Sequence, residues 1–121
     1  MGTFTVPLQV GDLAGQRFIE VEALVDTGAT YTSVPGSLLN QLGIEVTERR
    51  HFELADERLV EYGIGQARLR LDGRELIVVV VFVPDASTPL VGATTLELFG
   101  LGVDPVKRQL VPVNALLKRL N

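Results

Sequence analysis

Apolar and polar residues alternate from the start of the chain. Phe4, Val6, Leu8 and Val10 fall on one side of an extended segment over residues 3–10, which predicts a strand with one buried face. Residues 11–16 hold two glycines and an aspartate and predict a loop. Residues 18–25 predict a second strand, antiparallel to the first. Its apolar end, Ala23-Leu24-Val25, stops at Asp26-Thr27-Gly28-Ala29. A carboxylate is thus carried to the end of a core strand and held there by a tight turn. Ionised carboxylates seldom occupy such surroundings without a partner.

Extended structure resumes over residues 31–34. Pro35-Gly36 opens a short helix over residues 37–42, with Gly43 at its C′ position. Residues 45–50 are polar and predict an edge strand or a connection. The segments 52–54 and 59–62 flank Ala55, Asp56, Glu57 and Arg58, which predicts a hairpin with a polar tip. Its arms are thinly apolar, so it is expected to stand partly clear of the core. Over residues 64–71, Ile64, Ala67, Leu69 and Leu71 oppose Arg68, Arg70 and Asp72 in a further strand. Asp72-Gly73 is a two-residue hairpin signal. The return strand, residues 75–83, is almost continuously apolar and predicts burial on both faces or in an interface.

A loop over residues 84–89 precedes Leu90-Val91, a very short apolar strand ending at Gly92. Thr94 or Thr95 is expected to cap a helix that runs to Phe99 and stops at Gly100. A turn near Lys107 and Arg108 leads to a last strand at residues 109–113. Asn114 is expected to cap a terminal helix with Leu116, Leu117 and Leu120 as its apolar stripe, packed on the barrel or forming a dimer seam. Many short strands, frequent turns and only short helices predict an all-β, barrel-like fold.

Composition narrows the function. A length of 121 residues suits a single domain over residues 1–121. Fifteen acidic residues against 11 basic ones leave a net charge of −4, which argues against a nucleic-acid surface. Arg68, Arg70 and Arg74 cluster, but acidic neighbours break up their field. The chain has no cysteine, so disulfides, thiolate metal sites and cysteine nucleophiles are excluded. The N-terminus lacks the basic and apolar regions of a signal peptide. The most apolar run, residues 76–83, is far short of the roughly 20 residues that span a bilayer. A cytoplasmic location with no membrane partner is the resulting expectation.

In its Asp26-Thr27-Gly28-Ala29 turn behind an apolar strand, and in Leu90-Val91-Gly92 downstream, the chain resembles the aspartic protease superfamily in its small retropepsin-like form. The nearer likeness is to the small bacterial and archaeal members. That resemblance implies an acid-protease barrel with short helices and one lobe per chain. It also implies peptide hydrolysis by a water molecule set between two carboxylates, with no metal and no cofactor. One carboxylate acts as base toward the water; the other, protonated, polarises the scissile carbonyl. The chain carries one Asp-Thr-Gly and no second copy of it. The second Asp26 must therefore come from another copy, which a two-fold homodimer supplies at its axis.

The resemblance also assigns roles residue by residue. Asp26 is the catalytic carboxylate. Thr27 matches the residue whose hydroxyl bonds across the pair of turns. Gly28 and Ala29 complete the active-site turn. Ala55, Asp56, Glu57 and Arg58 sit where the family carries a flap over its substrate, although without the glycines of viral flaps. Leu90, Val91 and Gly92 match the apolar-apolar-Gly element beside the catalytic turn. The partners expected are a second copy and an extended peptide or protein substrate.

Plainer readings stand beside these. Asp26 could be a turn residue that bonds nearby amides, and the same cleft could hold a peptide without cutting it. Asp56 and Glu57 could simply be solvated at a hairpin tip. His51 has no suitable Ser or Cys nearby and reads as a surface or edge-strand residue. Asp12, Asp85 and Asp104 lie in predicted loops without the spacing of a calcium site.

Overall fold

The computed structural model describes residues 3–114 and residue 117. Strands β1 (Thr5–Gly11) and β2 (Phe18–Val25) form the expected antiparallel hairpin, in register from Thr5 opposite Leu24 to Gly11 opposite Phe18. After the Asp26 turn come β3 (Thr32–Pro35) and helix α1 (Gly36–Gln41). Gly43 follows the helix in the left-handed region, as a C′ glycine should. Strand β4 (Glu48–Glu53) pairs with β5 (Leu59–Leu71), and β5 turns through Asp72-Gly73 into β6 (Arg74–Val83). Asp72 and Gly73 both have positive φ, which is the geometry of a type I′ hairpin turn. The short β7 (Leu90–Val91), helix α2 (Ala93–Phe99) and the hairpin β8 (Leu101–Asp104) and β9 (Gln109–Pro112) complete the described elements.

The large sheet has the order β1-β2-β7-β3-β6-β5-β4. Strand β1 also pairs with β5, from Gln9 opposite Arg70 to Gly11 opposite Arg68. That pairing closes the sheet into a barrel and leaves β4 as an outer edge. Closure covers the edges of β1 and β5 that would otherwise invite pairing with other chains. Leu8, Val10, Leu69, Val80 and Val91 are fully buried inside, and Leu39 of α1 and Phe99 of α2 are buried in the same cluster. The chain is thus the all-β barrel with short helices that its pattern predicts. Among the described residues no helix is long and apolar enough to cross a membrane.

Several expectations need correction. Strand β5 runs unbroken through Gly63 and Gly65, where two separate segments were expected. These glycines admit close packing. A Cβ on Gly63 would lie 2.7 Å from a Val46 methyl, and one on Gly65 would lie 3.1 Å from the Phe82 ring. Ile64 lies on the opposite face from Ala67, Leu69 and Leu71, because side chains alternate along a strand. It pairs with Val81, and both are buried outside the main cluster. Strand β6 is not buried along its whole length. Leu76 and Ile77 are 40% and 43% exposed, and burial begins at Val78.

Thr94 and Thr95 do not cap α2. The N-cap is Gly92, and no side chain bonds there. Asn114 and Leu117 are exposed and lie in no helix. Leu117 is therefore not packed on the described barrel. Leu116 and Leu120, the rest of the expected terminal stripe, lie outside the described residues.

Candidate active site

The Asp26 turn is clamped by a strand that threads beside it. Strand β7 runs parallel to β2, with Leu24 opposite Leu90 and Val25 opposite Val91, and antiparallel to β3 at Ser33. It is thus inserted between the strand that enters the turn and the strand that leaves it. The Leu24 amide donates to the Pro89 carbonyl (2.8 Å) and the Asp26 amide to the Val91 carbonyl (3.0 Å). On the far side, the Ala93 amide donates to the Ala29 carbonyl (2.7 Å) and the Thr94 amide to the Thr30 carbonyl (3.0 Å). The turn is braced before and after the aspartate by backbone from one short segment.

Gly92 is required where these chains cross. A Cβ there would lie 2.5 Å from both the carbonyl carbon and oxygen of Tyr31. Those are backbone atoms and cannot swing aside. The buried Gly92 amide donates to the Thr32 hydroxyl oxygen (3.1 Å), which is also bonded to the Thr95 hydroxyl (2.6 Å). Thr95 thus serves as an internal polar tie from α2 to β3. Both threonines are almost fully buried, and the pair satisfies groups that would otherwise be costly to desolvate.

Within the turn, the Gly28 amide donates to Asp26 Oδ1 (2.9 Å), and the Ala29 amide donates to the Asp26 carbonyl (3.2 Å). The first bond is the local turn contact that an aspartate in this setting can make. It orients the carboxylate as well. Asp26, Gly28 and Ala29 line a cleft of about 960 Å³. Asp26 is half-buried and Gly28 exposed; Thr27 is exposed and does not line the cleft.

The other wall of the cleft is the β4–β5 hairpin, including Leu54, Ala55 and Arg58. Ala55, Asp56, Glu57 and Arg58 form an exposed tip between the paired residues Glu53 and Leu59. The Leu54 amide donates to the Arg58 carbonyl and the Glu57 amide to the Leu54 carbonyl, each at 2.9 Å. Asp56 staples the tip by accepting from the Arg58 amide (3.2 Å) and from Arg58 Nε (2.8 Å). Glu57 takes positive φ, a conformation that ordinarily favours glycine. Asp56 and Arg58 are therefore tip-forming residues as well as surface charges; Asp56 and Glu57 do not line the cleft, whereas Ala55 and Arg58 do.

The remaining candidates sort by place. His51 is an exposed residue of the edge strand β4, with its Nε2 3.9 Å from a Glu61 carboxylate oxygen. Asp12 accepts from the Gln16 and Arg17 amides, Asp85 from the Ser37 hydroxyl, and Asp104 from the Val106 and Lys107 amides. Each of these three stabilises a connection. Sequence pattern did not single out Tyr31, Phe52 and Tyr62, which also line the cleft. Their signal was faint. Arg50, Phe52, Val60 and Tyr62 share one face of the hairpin by register, but nothing local says that this face looks toward Asp26.

Comparison with known proteins agrees with this geometry. The profile of the family described as "gag-polyprotein putative aspartyl protease" matches residues 13–98. No curated protein sequence matches the chain. Among solved structures, the retroviral protease-like domain of Ddi1 from Leishmania major is similar with a TM-score of 0.61 at 17% identity, covering 93% of this chain and 85% of that one. A retropepsin-like aspartic protease from Rickettsia conorii has a TM-score of 0.51 at 18% identity, covering 86% and 89%. The EIAV protease has a TM-score of 0.53 at 18% identity, covering 82% and 89%. At these identities the likeness is one of fold.

Two outcomes test this construction. Thr32→Val leaves the Gly92 amide buried without an acceptor and should cost about 1–3 kcal/mol. Gly92→Ala, which drives a Cβ into fixed backbone, should cost at least about 2 kcal/mol. Urea unfolding measures both, and unchanged midpoints would contradict the clamp. The second outcome concerns the hairpin tip. The Arg58 amide, then its guanidinium, hold the Asp56 carboxyl below its ordinary value of 3.8. The staple is therefore complete above pH 3.8 and is lost as pH falls through the depressed folded-state pKa. An NMR titration of the Arg58 amide should show its midpoint below 3.8; a midpoint at or above that value would contradict the bonding.

Proposed function

The chain belongs to the gag-polyprotein putative aspartyl protease family, and from that premise we propose that it is an aspartic endopeptidase whose site is assembled from two copies of the chain. The observation that carries this reading is the placement of Asp26. It sits on a turn braced on both sides by β7 and Gly92, at the floor of a cleft walled by a hairpin. With one Asp-Thr-Gly per chain, an isologous dimer brings two Asp26 side chains to its axis. The exposed Thr27 then lies where its hydroxyl reaches the other turn.

The paired carboxylates hold one proton between them, because two like charges about 3 Å apart do not both ionise. The ionised Asp26 takes a proton from a water as the water oxygen bonds to the scissile carbonyl carbon. The protonated Asp26 of the partner gives its proton to the carbonyl oxygen, and a tetrahedral diol forms. Collapse breaks the C–N bond as the now-protonated Asp26 gives its proton to the departing nitrogen. The partner's ionised Asp26 takes one diol proton, which re-forms the carbonyl and restores the starting pair. The Gly28 amide keeps each carboxylate oriented through the cycle. The β4–β5 hairpin acts as a flap that covers the substrate and excludes water. The substrate lies extended, its backbone bonding to strand edges.

The test is cleavage of a mixed peptide library by the wild type and by Asp26→Asn over a protein dilution series. The variant retains an oxygen for the Gly28 amide, so it should fold. Its cleavage should fall on the order of 10³-fold or more. Wild-type activity per chain should fall on dilution as dimers dissociate. Full activity in Asp26→Asn would overturn the mechanism. A wild type that binds peptides and cuts none at any concentration would instead identify a peptide-binding module.

A further inference from the structure

Tyr31 links the braced turn to the hairpin above it. Its backbone is fixed, because Gly92 packs directly on its peptide atoms and the Ala93 and Thr94 amides hold the residues just before it. Its side chain reaches away from that crossing. The Tyr31 hydroxyl accepts from Arg50 Nη1 at 2.8 Å, and its ring meets the Phe52 ring edge-on at 5.9 Å and 87°. Both partners lie on β4. Arg50 is itself aimed by the Glu48 carboxylate at 3.0 Å. Phe52 in turn lies against Tyr62 of β5, with ring centroids 6.2 Å apart. One side chain from the Asp26 loop thus meets β4 directly and β5 through Phe52.

The tip has no comparable hold. Among the described residues, the hydrogen bonds of residues 54–58 run within the tip alone. The pitch of the hairpin over Asp26 is then set at its root. An edge-on aromatic contact and one hydrogen bond at a solvent-exposed site are together weak enough to break and re-form as a peptide enters. We infer that Tyr31 is a positioning residue, and that its bond to Arg50 is a latch holding the β4–β5 hairpin in its lowered pose over the cleft. The inference rests on the reading of that hairpin as a flap, but the latch itself exists in the free chain.

Amide hydrogen exchange on the full-length protein without substrate tests it. Tyr31→Phe keeps the ring and removes only the hydroxyl, while Arg50→Met removes the donor from the other side. Each should speed exchange across residues 48–62 by about threefold to tenfold, the effect of one such bond. The double variant should exchange no faster than Arg50→Met alone, because that variant has already lost the bond that Tyr31→Phe removes. Exchange in β6 at Val78 and Val80 should not change. Hairpin exchange unaltered by Tyr31→Phe, additive effects in the double variant, or an equal rise in β6 would overturn the latch. No cleavage is needed for this measurement, so its failure and failure of the peptidase reading are separate results.

Discussion

The approach of Gly92 to the backbone of Tyr31 is the contact on which the rest of the site depends. It lets β7 thread between β2 and β3, and only a residue without a side chain permits that crossing. Once the crossing is made, the amides and carbonyls on either side of Asp26 find partners in one short segment. The buried Thr32–Thr95 pair then ties the following helix to the same place. A carboxylate at the end of a strand would ordinarily sit on a mobile loop. Here it is held by backbone atoms, whose positions vary less than those of side chains.

That rigidity has a counterpart in the hairpin. Turn and hairpin face each other across one cleft, but they are built differently. The turn is braced by backbone hydrogen bonds to a neighbouring segment, whereas the hairpin tip is exposed and bonded to itself. A braced floor beneath a self-bonded hairpin is consistent with the flap role proposed for β4–β5. The aromatic contacts of Tyr31, Phe52 and Tyr62 are where the two parts meet.

Much of this was legible in the sequence, for identifiable reasons. Alternating Phe4, Leu8 and Val10, the Asp72-Gly73 turn and the helix-ending Gly43 and Gly100 are local signals, and each acts locally in the structure. That Leu90-Val91-Gly92 lies beside the Asp26 turn followed from the family resemblance, but the threading of β7 between β2 and β3 was not legible, because those strands meet only through tertiary pairing. The same limit hid Thr95, which local pattern offers as a helix cap and which packing uses as a buried partner for Thr32. Gly63 and Gly65 looked like breaks because their close neighbours, Val46 and Phe82, are distant in sequence. Tyr31 carried no local mark at all; its meaning comes from a hairpin folded back over it.

The central claim is that one site takes an Asp26 from each of two chains. Mixing wild type with Asp26→Asn tests it most directly, at fixed total concentration and after subunit exchange. If every working site needs two intact carboxylates, an equal mixture keeps about a quarter of the wild-type activity, because random pairing leaves that share of dimers with both. If each chain works alone, the equal mixture keeps about half. A quadratic fall with the wild-type fraction is the predicted result, and a linear fall would contradict the two-chain site.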